Sequence, residues 1–400
     1  MTTQDNLAVA AAASVDGGRW LAHLDELMTR IAGRFGRVEP RRRARQLVLG
    51  LLSDLPRKNC WTIAEHVGDR SPDGLQHLLA EACWDHDGVR DDLRDYVVAG
   101  LGDQNAVLVV DETGDLKKGS HTVGVQRQYT GTAGRVENAQ VAVYLAYATD
   151  AGHAFIDREL YLPRCWADDP DRREAAGVPE EVEFATKPAL ATTMVCRALD
   201  AGLAADWVTG DEVYGADPSL RGELEARRVG YVLAVGSDRR LATGAGVMRA
   251  DQVARTLPRG AWQQHSAGAG AKGPRLYDWA LVDIDTEQSG HRWLLVRRNH
   301  TTGELAYYRC YSPRPRRYRR WSPWPDGGGP SRRAFRPAKG CAASMNTRSG
   351  AGPPGTAGPS CPCSPTHSSP SWPHANDQHR PATTIYSRSP ATRSSTCSPD

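Results

Sequence analysis

The sequence predicts an α/β fold: a mixed sheet behind a helical segment. Three observations carry that expectation. The run Ala106-Val107-Leu108-Val109-Val110 is continuously apolar, as a strand buried on both faces must be. From there to about Val235, short apolar runs alternate with helix-length amphipathic runs. Before Gly100 the apolar positions recur with helical spacing, whereas after Asp238 strand patterning takes over.

From Trp20 to about Gly100, Leu21, Leu24, Leu27 and Met28, then Ile31, share one helix face. Arg41, Arg42, Arg43 and Arg45 open a second amphipathic run, Gln46 to Leu55. That basic cluster reads as a solvated helix face or as a phosphate contact. Asp73 is placed as the cap of a helix carrying Leu75, Leu78 and Leu79, and a last helix runs from Asp87 to Val98. Residues 15–100 are therefore read as an N-terminal helical domain, a candidate for DNA binding.

The core is read over residues 101–312. After AVLVV, the stretches HTVGVQRQYTG and AQVAVYLAYAT read as strands around the turn TGTAG. Lys187 to Leu203 is a helix with Pro188 in its first turn, DWVTGD is a short apolar strand ending in an acid, and DPSLRGELEARR is a helix started by Asp217 and Pro218. YVLAV is a further strand. RLYDWALVDID, HRWLLVRRN and LAYYRCYS form a β-rich insertion over about 238–312. Its Trp279 and Trp293 read as core packing rather than as platforms for an unpaired base. From Pro313 the pattern ends: residues 313–400 hold 16 of the 26 prolines, with no apolar periodicity. Such a segment cannot bury enough surface to offset its ordering entropy, so a disordered tail is expected.

Composition removes some classes. A formal net charge of +3 excludes a strongly basic, histone-like chain but not a local basic groove. Nine cysteines without metal-type pairing, apart from Cys361 and Cys363 in the tail, suit reduced thiols in the cytosol. No run of about 18 apolar residues is present to span a membrane.

Asp111 follows one apolar strand and Asp211, in VTGDEVYG, follows another. Ligands of open α/β folds bind where such strands end. Two rigid acids brought together repel, raising each pKa unless a cation joins them. Mg²⁺, or Mn²⁺, suits a few carboxylates plus water. The bland alternative is that each Asp caps a turn. Glu112 and Glu212 are read as bystanders, because adjacent strand residues point to opposite faces. Lys117, Lys118, Arg127 and Tyr129 follow Asp111 closely and are assigned to phosphate backbone, a pattern suited to nucleic acid. An unrelated two-carboxylate hydrolase such as a glycosidase is the weaker alternative.

VLVVDETGDLKKG, VGVQRQYTGTAGRVENAQVAVYLAYA, GHAFIDRELYLPRCW and WVTGDEVYGADPSLRGELEARRVGYVLAV together resemble the bacterial insertion-sequence transposases with a DDE catalytic domain, over roughly residues 20–312. The resemblance implies a ribonuclease H-like core, two divalent metals, and an Asp, Asp, Glu triad that cuts and joins DNA at element ends. Asp111 takes the first position and Asp211 the second. The partners implied are double-stranded DNA, at terminal repeats and target, and a second copy of the chain in the DNA complex, with no membrane. The protein is placed in the cytoplasm, on the nucleoid when DNA-bound.

The third acid should lie on a C-terminal helix in a Trp-x-Val/Ile-Glu-Glu-like motif. That region reads GGPSRRAFRPAKGCAASMNTRSGAG, and no glutamate follows Glu304. Synonymous codons can be chosen for Gly328 to Gly352 so that a frame shifted by two bases encodes WTVEESFPAGKGLRGLDEHQVRRW. The next stretch can likewise be written to give WYRWAVLPMLAHAFLAVLA, an apolar helix. A frameshift near Pro313 to Arg317 explains both. The displaced Glu straddles the codons of Ser331 and Arg332, and the chain as written is expected to be inactive.

Overall fold

The computed structural model describes residues 17–314, apart from 104, 271–272 and 286–288. The expected disordered tail and the displaced third acid lie, from residue 315 on, outside the described residues.

Five helices come first: α1 Gly17–Arg30, α2 Val38–Leu52, α3 Cys60–His66, α4 Asp73–Ala80 and α5 His86–Leu101. Leu24, Met28, Ile31, Phe35 and Leu78 form their core. Leu21, expected on the buried face, is 42% exposed, because the buried stripe of α1 begins only at Leu24. The arginine run lies inside α2 rather than ahead of it. Arg43 pairs with Asp69, and Arg45 pairs with Asp25 at 2.8 Å, so half the cluster is structural. Helix α3 is an addition to the elements expected from sequence; Asn59 and Thr62 start it as a reciprocal capping box. Asp73 is the first helical residue of α4 and not its cap, whereas Asp85 caps α5 through the Gly88 amide at 2.8 Å.

Helix α5 reaches the sheet. Val97, Val98 and Leu101 pack on the sheet's helix-side core, and buried Asp157 pairs with Arg90 at 3.7 Å and Arg197 at 2.8 Å.

The sheet contains β1 Val107–Leu116, β2 Gln126–Thr130, β3 Arg135–Ala148, β4 His153–Leu160, β5 Trp207–Gly210 and β6 Gly230–Val235. Helices α6 Arg164–Ala167, α7 Pro170–Ala175 and α8 Lys187–Asp200 separate β4 from β5. Helices α9 Glu212–Gly215 and α10 Pro218–Ala226 separate β5 from β6. The central order is β4-β3-β1-β5-β6. Strand β3 runs antiparallel to β1 and β4, while β1, β5 and β6 are parallel. Three antiparallel strands followed by two helix-connected parallel ones make a ribonuclease H-like core. Strand β4 is a second addition; its Asp157, Arg158 and Glu159 interrupt the apolar pattern.

The β-rich insertion is not a separate body. After a ribbon, β7 Arg240–Thr243 with β8 Gly246–Arg249, and helix α11 Ala250–Thr256, come β9 Gln263–Gly270, β10 Gly273–Asp283, β11 His291–Asn299 and β12 Leu305–Ser312. β12 pairs antiparallel with β6, so the same sheet continues as β6-β12-β11-β10-β9. On one face Leu108, Val110 and Leu145 pack under Ala191, Met194 and Val195 of α8 and Leu220 and Leu224 of α10. On the other, Val107, Val109, Trp207 and Val232 join the buried Trp279 and Trp293 of the insertion. Both tryptophans are core residues, as their sequence context predicts.

Candidate metal centre

The backbone brings the two aspartates together. β1 and β5 pair in parallel from Val107↔Trp207 to Val110↔Gly210, and the next residues are Asp111 and Asp211. Neighbouring strands lie about 4.8 Å apart, so this register sets the two acids side by side. Val107 and Val109 face away from the helices, and Asp111 follows them by alternation. Asp111 is not the end of its strand: β1 runs on to Leu116 against β3, with Asp111 opposite Tyr144. What ends there is the parallel half of the sheet, because β5 turns into α9 at Asp211. Asp211 makes that turn itself, accepting the Val213 amide at 2.8 Å as the helix cap.

Helix α9 lies flush on β6 because Gly215 has no side chain; a Cβ there would stand 1.8 Å from the Ala234 carbonyl oxygen. Gly215→Ala is therefore expected to lift α9 from the sheet and displace Asp211, at the roughly 1–3 kcal/mol typical of overpacking. A urea titration and Mn²⁺ uptake of the variant check both effects.

Ligand oxygens of Asp111, Glu112 and Asp211 all lie within 4.8 Å of one another. Glu112 is thus no bystander. Its Cβ follows Leu108 and Val110 toward the helices, but alternation fixes only where a side chain starts. At the end of the parallel strands this longer one reaches Lys187 Nζ at 3.0 Å and the Tyr214 hydroxyl. Glu212 is exposed and outside the cluster. Lys187 and Tyr214 escape sequence reasoning. The only local signal for Tyr214 is its place three residues after Asp211, one helical turn on.

Burial pushes the Asp111 carboxyl up to about 7, and the charges of Asp211 and Glu112 add to the rise. Asp211 is also raised, by burial first and then by Glu112, while the Lys187 ammonium works the other way. Three carboxylates against one ammonium leave a partly buried site short of positive charge. An all-oxygen donor set of this kind fits a hard divalent cation such as Mg²⁺ or Mn²⁺.

A family model described as DDE superfamily endonuclease matches residues 30–272, well over half of the chain. The chain belongs to the DDE superfamily endonucleases. It is also 32% identical over 194 residues to a protein of Microchaete diplosiphon described as a probable transposase for insertion sequence element IS701. The match takes in 48% of each, so the chain spans about half the length of that curated relative.

In this member of the DDE superfamily endonucleases, Lys117, Lys118, Arg127 and Tyr129 lie apart from the carboxylate cluster. Lys117 and Lys118 follow the end of β1, six and seven residues past Asp111, which puts Lys117 about 20 Å along an extended strand. Asn138 holds that end, its Nδ2 donating to the Lys117 and Gly119 carbonyls at 2.9 and 2.8 Å. Arg127 and Tyr129 project from the same side of β2 by alternation and are both exposed, Tyr129 at 63%. Among the described residues no helix is long and apolar enough to cross a membrane.

Proposed function

We propose that this chain derives from a DNA transposase that cleaves and joins strands at insertion-sequence ends, and that the frame as written leaves it without its third acid. The observation that carries the first part is the parallel register that sets Asp111 beside Asp211, with Glu112 alongside. Asp111 and Asp211 would hold Mg²⁺ or Mn²⁺. Such ions, when bound, supply an activated water or 3′-hydroxyl and stabilise the leaving oxygen of a phosphodiester. The chain's own residues position the DNA.

Lys117, Lys118, Arg127 and Tyr129 contact the phosphate backbone without reading sequence. A site about 20 Å from the acids matches some six base-pair steps of about 3.4 Å along one strand. Replacing the three basic residues with Ala should weaken binding to any duplex and reduce the salt slope by about 0.9 for each phosphate no longer neutralised. An unchanged slope in a fluorescence-anisotropy titration would make them ordinary solvated charges. Double-stranded DNA is then the partner, with a second copy of the chain in the complex, working in the cytoplasm on the nucleoid.

A second reading, a remnant that binds element ends without cutting them, is favoured by the absence of glutamate after Glu304. Two carboxylates hold cations less firmly than three. Strand cleavage with Mg²⁺, measured on the chain as written and on a frame-repaired one, separates the readings. Cleavage by the unrepaired chain would mean that another residue supplies the third acid.

A further inference from the structure

Metal binding alone does not account for the surroundings of Glu112. Its Oε1 accepts from Lys187 Nζ at 3.0 Å and its Oε2 accepts from the Tyr214 hydroxyl. These partners stand 75 and 102 residues away in the chain. Lys187 is the first residue of α8, capped by Thr186, whose hydroxyl accepts the Ala189 amide at 3.2 Å. Tyr214 sits in α9, one turn past Asp211, and is wholly buried in the core that also contains Val110 and Met194. One carboxylate therefore ties together β1, α8 and α9, the elements around the two aspartates.

We infer that Glu112 is a positioning residue: with Lys187 and Tyr214 it forms a clamp that fixes the separation of Asp111 and Asp211, and it does not itself ligate the cation. The inference rests on the metal-centre reading above.

Its chemistry follows from the count of oxygens. Both oxygens of Glu112 are engaged, one of them by an ammonium. A divalent ion bonded to that same oxygen would stand a few ångströms from Lys187, and like charges about 4 Å apart in a partly dry site repel strongly. Lys187 thus steers a cation away from Glu112 and toward the aspartates. Those are held differently: the Asp111 Oδ1 accepts the Glu112 amide at 2.9 Å and the Asp211 Oδ1 accepts the Val213 amide at 2.8 Å. Neutral backbone donors of this kind orient a carboxylate without excluding a cation. Because the Glu112 amide itself donates to Asp111, any movement of Glu112 is passed to Asp111 directly.

The test is a Mn²⁺ titration of the full chain, followed by water-proton relaxation, for the wild type, Lys187→Met, Lys187→Arg and Tyr214→Phe, with thermal melts alongside. Partners that orient metal ligands typically change affinity about 10- to 100-fold when removed. Lys187→Met and Tyr214→Phe should each weaken Mn²⁺ binding about 10-fold, and Lys187→Arg should recover part of that loss. If Lys187→Met does not fold, Tyr214→Phe, which deletes a single hydroxyl, decides. Tighter binding by Lys187→Met would mark Lys187 as a competitor and Glu112 as a ligand, and would overturn the clamp. Unchanged affinity in both variants would overturn it too, leaving the metal centre standing. No Mn²⁺ uptake by the wild type would overturn the metal-centre reading and the clamp together.

Discussion

Restoring the reading frame just after Tyr311 is expected to yield a chain that cleaves its element ends with Mg²⁺, whereas the chain as written is expected not to. The expectation follows from a count of carboxylates. Asp111 and Asp211 supply one oxygen donor set, and Glu112 is committed to Lys187 and Tyr214. The frame proposed above would add a Glu-Glu pair in a helix-forming stretch. Changing the first restored glutamate to Gln should then remove cleavage while leaving the melting curve intact. Loss of a group aimed at charge developing in the transition state costs on the order of 10²–10³-fold in rate, and a metal ligand should cost at least that. A repaired chain that stays inert would place the defect elsewhere.

Asp111→Asn should stabilise the metal-free chain at pH 8 while abolishing its divalent uptake. The folded carboxyl sits at about 7 against an ordinary 3.8. A folded state that holds its proton more tightly than the unfolded one has the full benefit below the ordinary value. It loses that benefit as pH rises toward the folded value. The melting temperature of the metal-free wild type should therefore fall between about pH 4 and pH 7, and the Asn variant should lack that component. One pK unit is about 1.4 kcal/mol, and a domain of this size moves about 2 °C per kcal/mol, so the variant should gain about 5 °C at pH 8 after allowance for relaxation. Added Mg²⁺ should reverse the order, raising the wild type only. Parallel pH–melting curves for the two proteins would show that Asp111 ionises freely.

The strands that build the site are legible because AVLVV and DWVTG are apolar on both faces. The acids are legible because each ends such a run. The register that aligns Asp111 with Asp211 is not, since nothing local specifies which strands pair. Glu112 defeats sequence reasoning for a related reason. Alternation gives the direction of Cβ, but its partners come from 75 and 102 residues away. Strand β4 is hidden because Asp157, Arg158 and Glu159 look like a loop until Arg90 and Arg197 arrive to pair with Asp157 and Glu159. Helix α3 is readable only from Asn59 and Thr62, a cap signal in a segment too short for periodicity.

The metal centre stands or falls on a divalent cation shared by Asp111 and Asp211. An anomalous-scattering map from crystals soaked in Mn²⁺ shows whether they share one. A peak is expected within bonding distance of carboxylate oxygens from both aspartates, and it should vanish in Asp211→Asn. A map with no peak between them, or with Mn²⁺ held only elsewhere while the frame-repaired chain still cleaves DNA, would contradict the shared site.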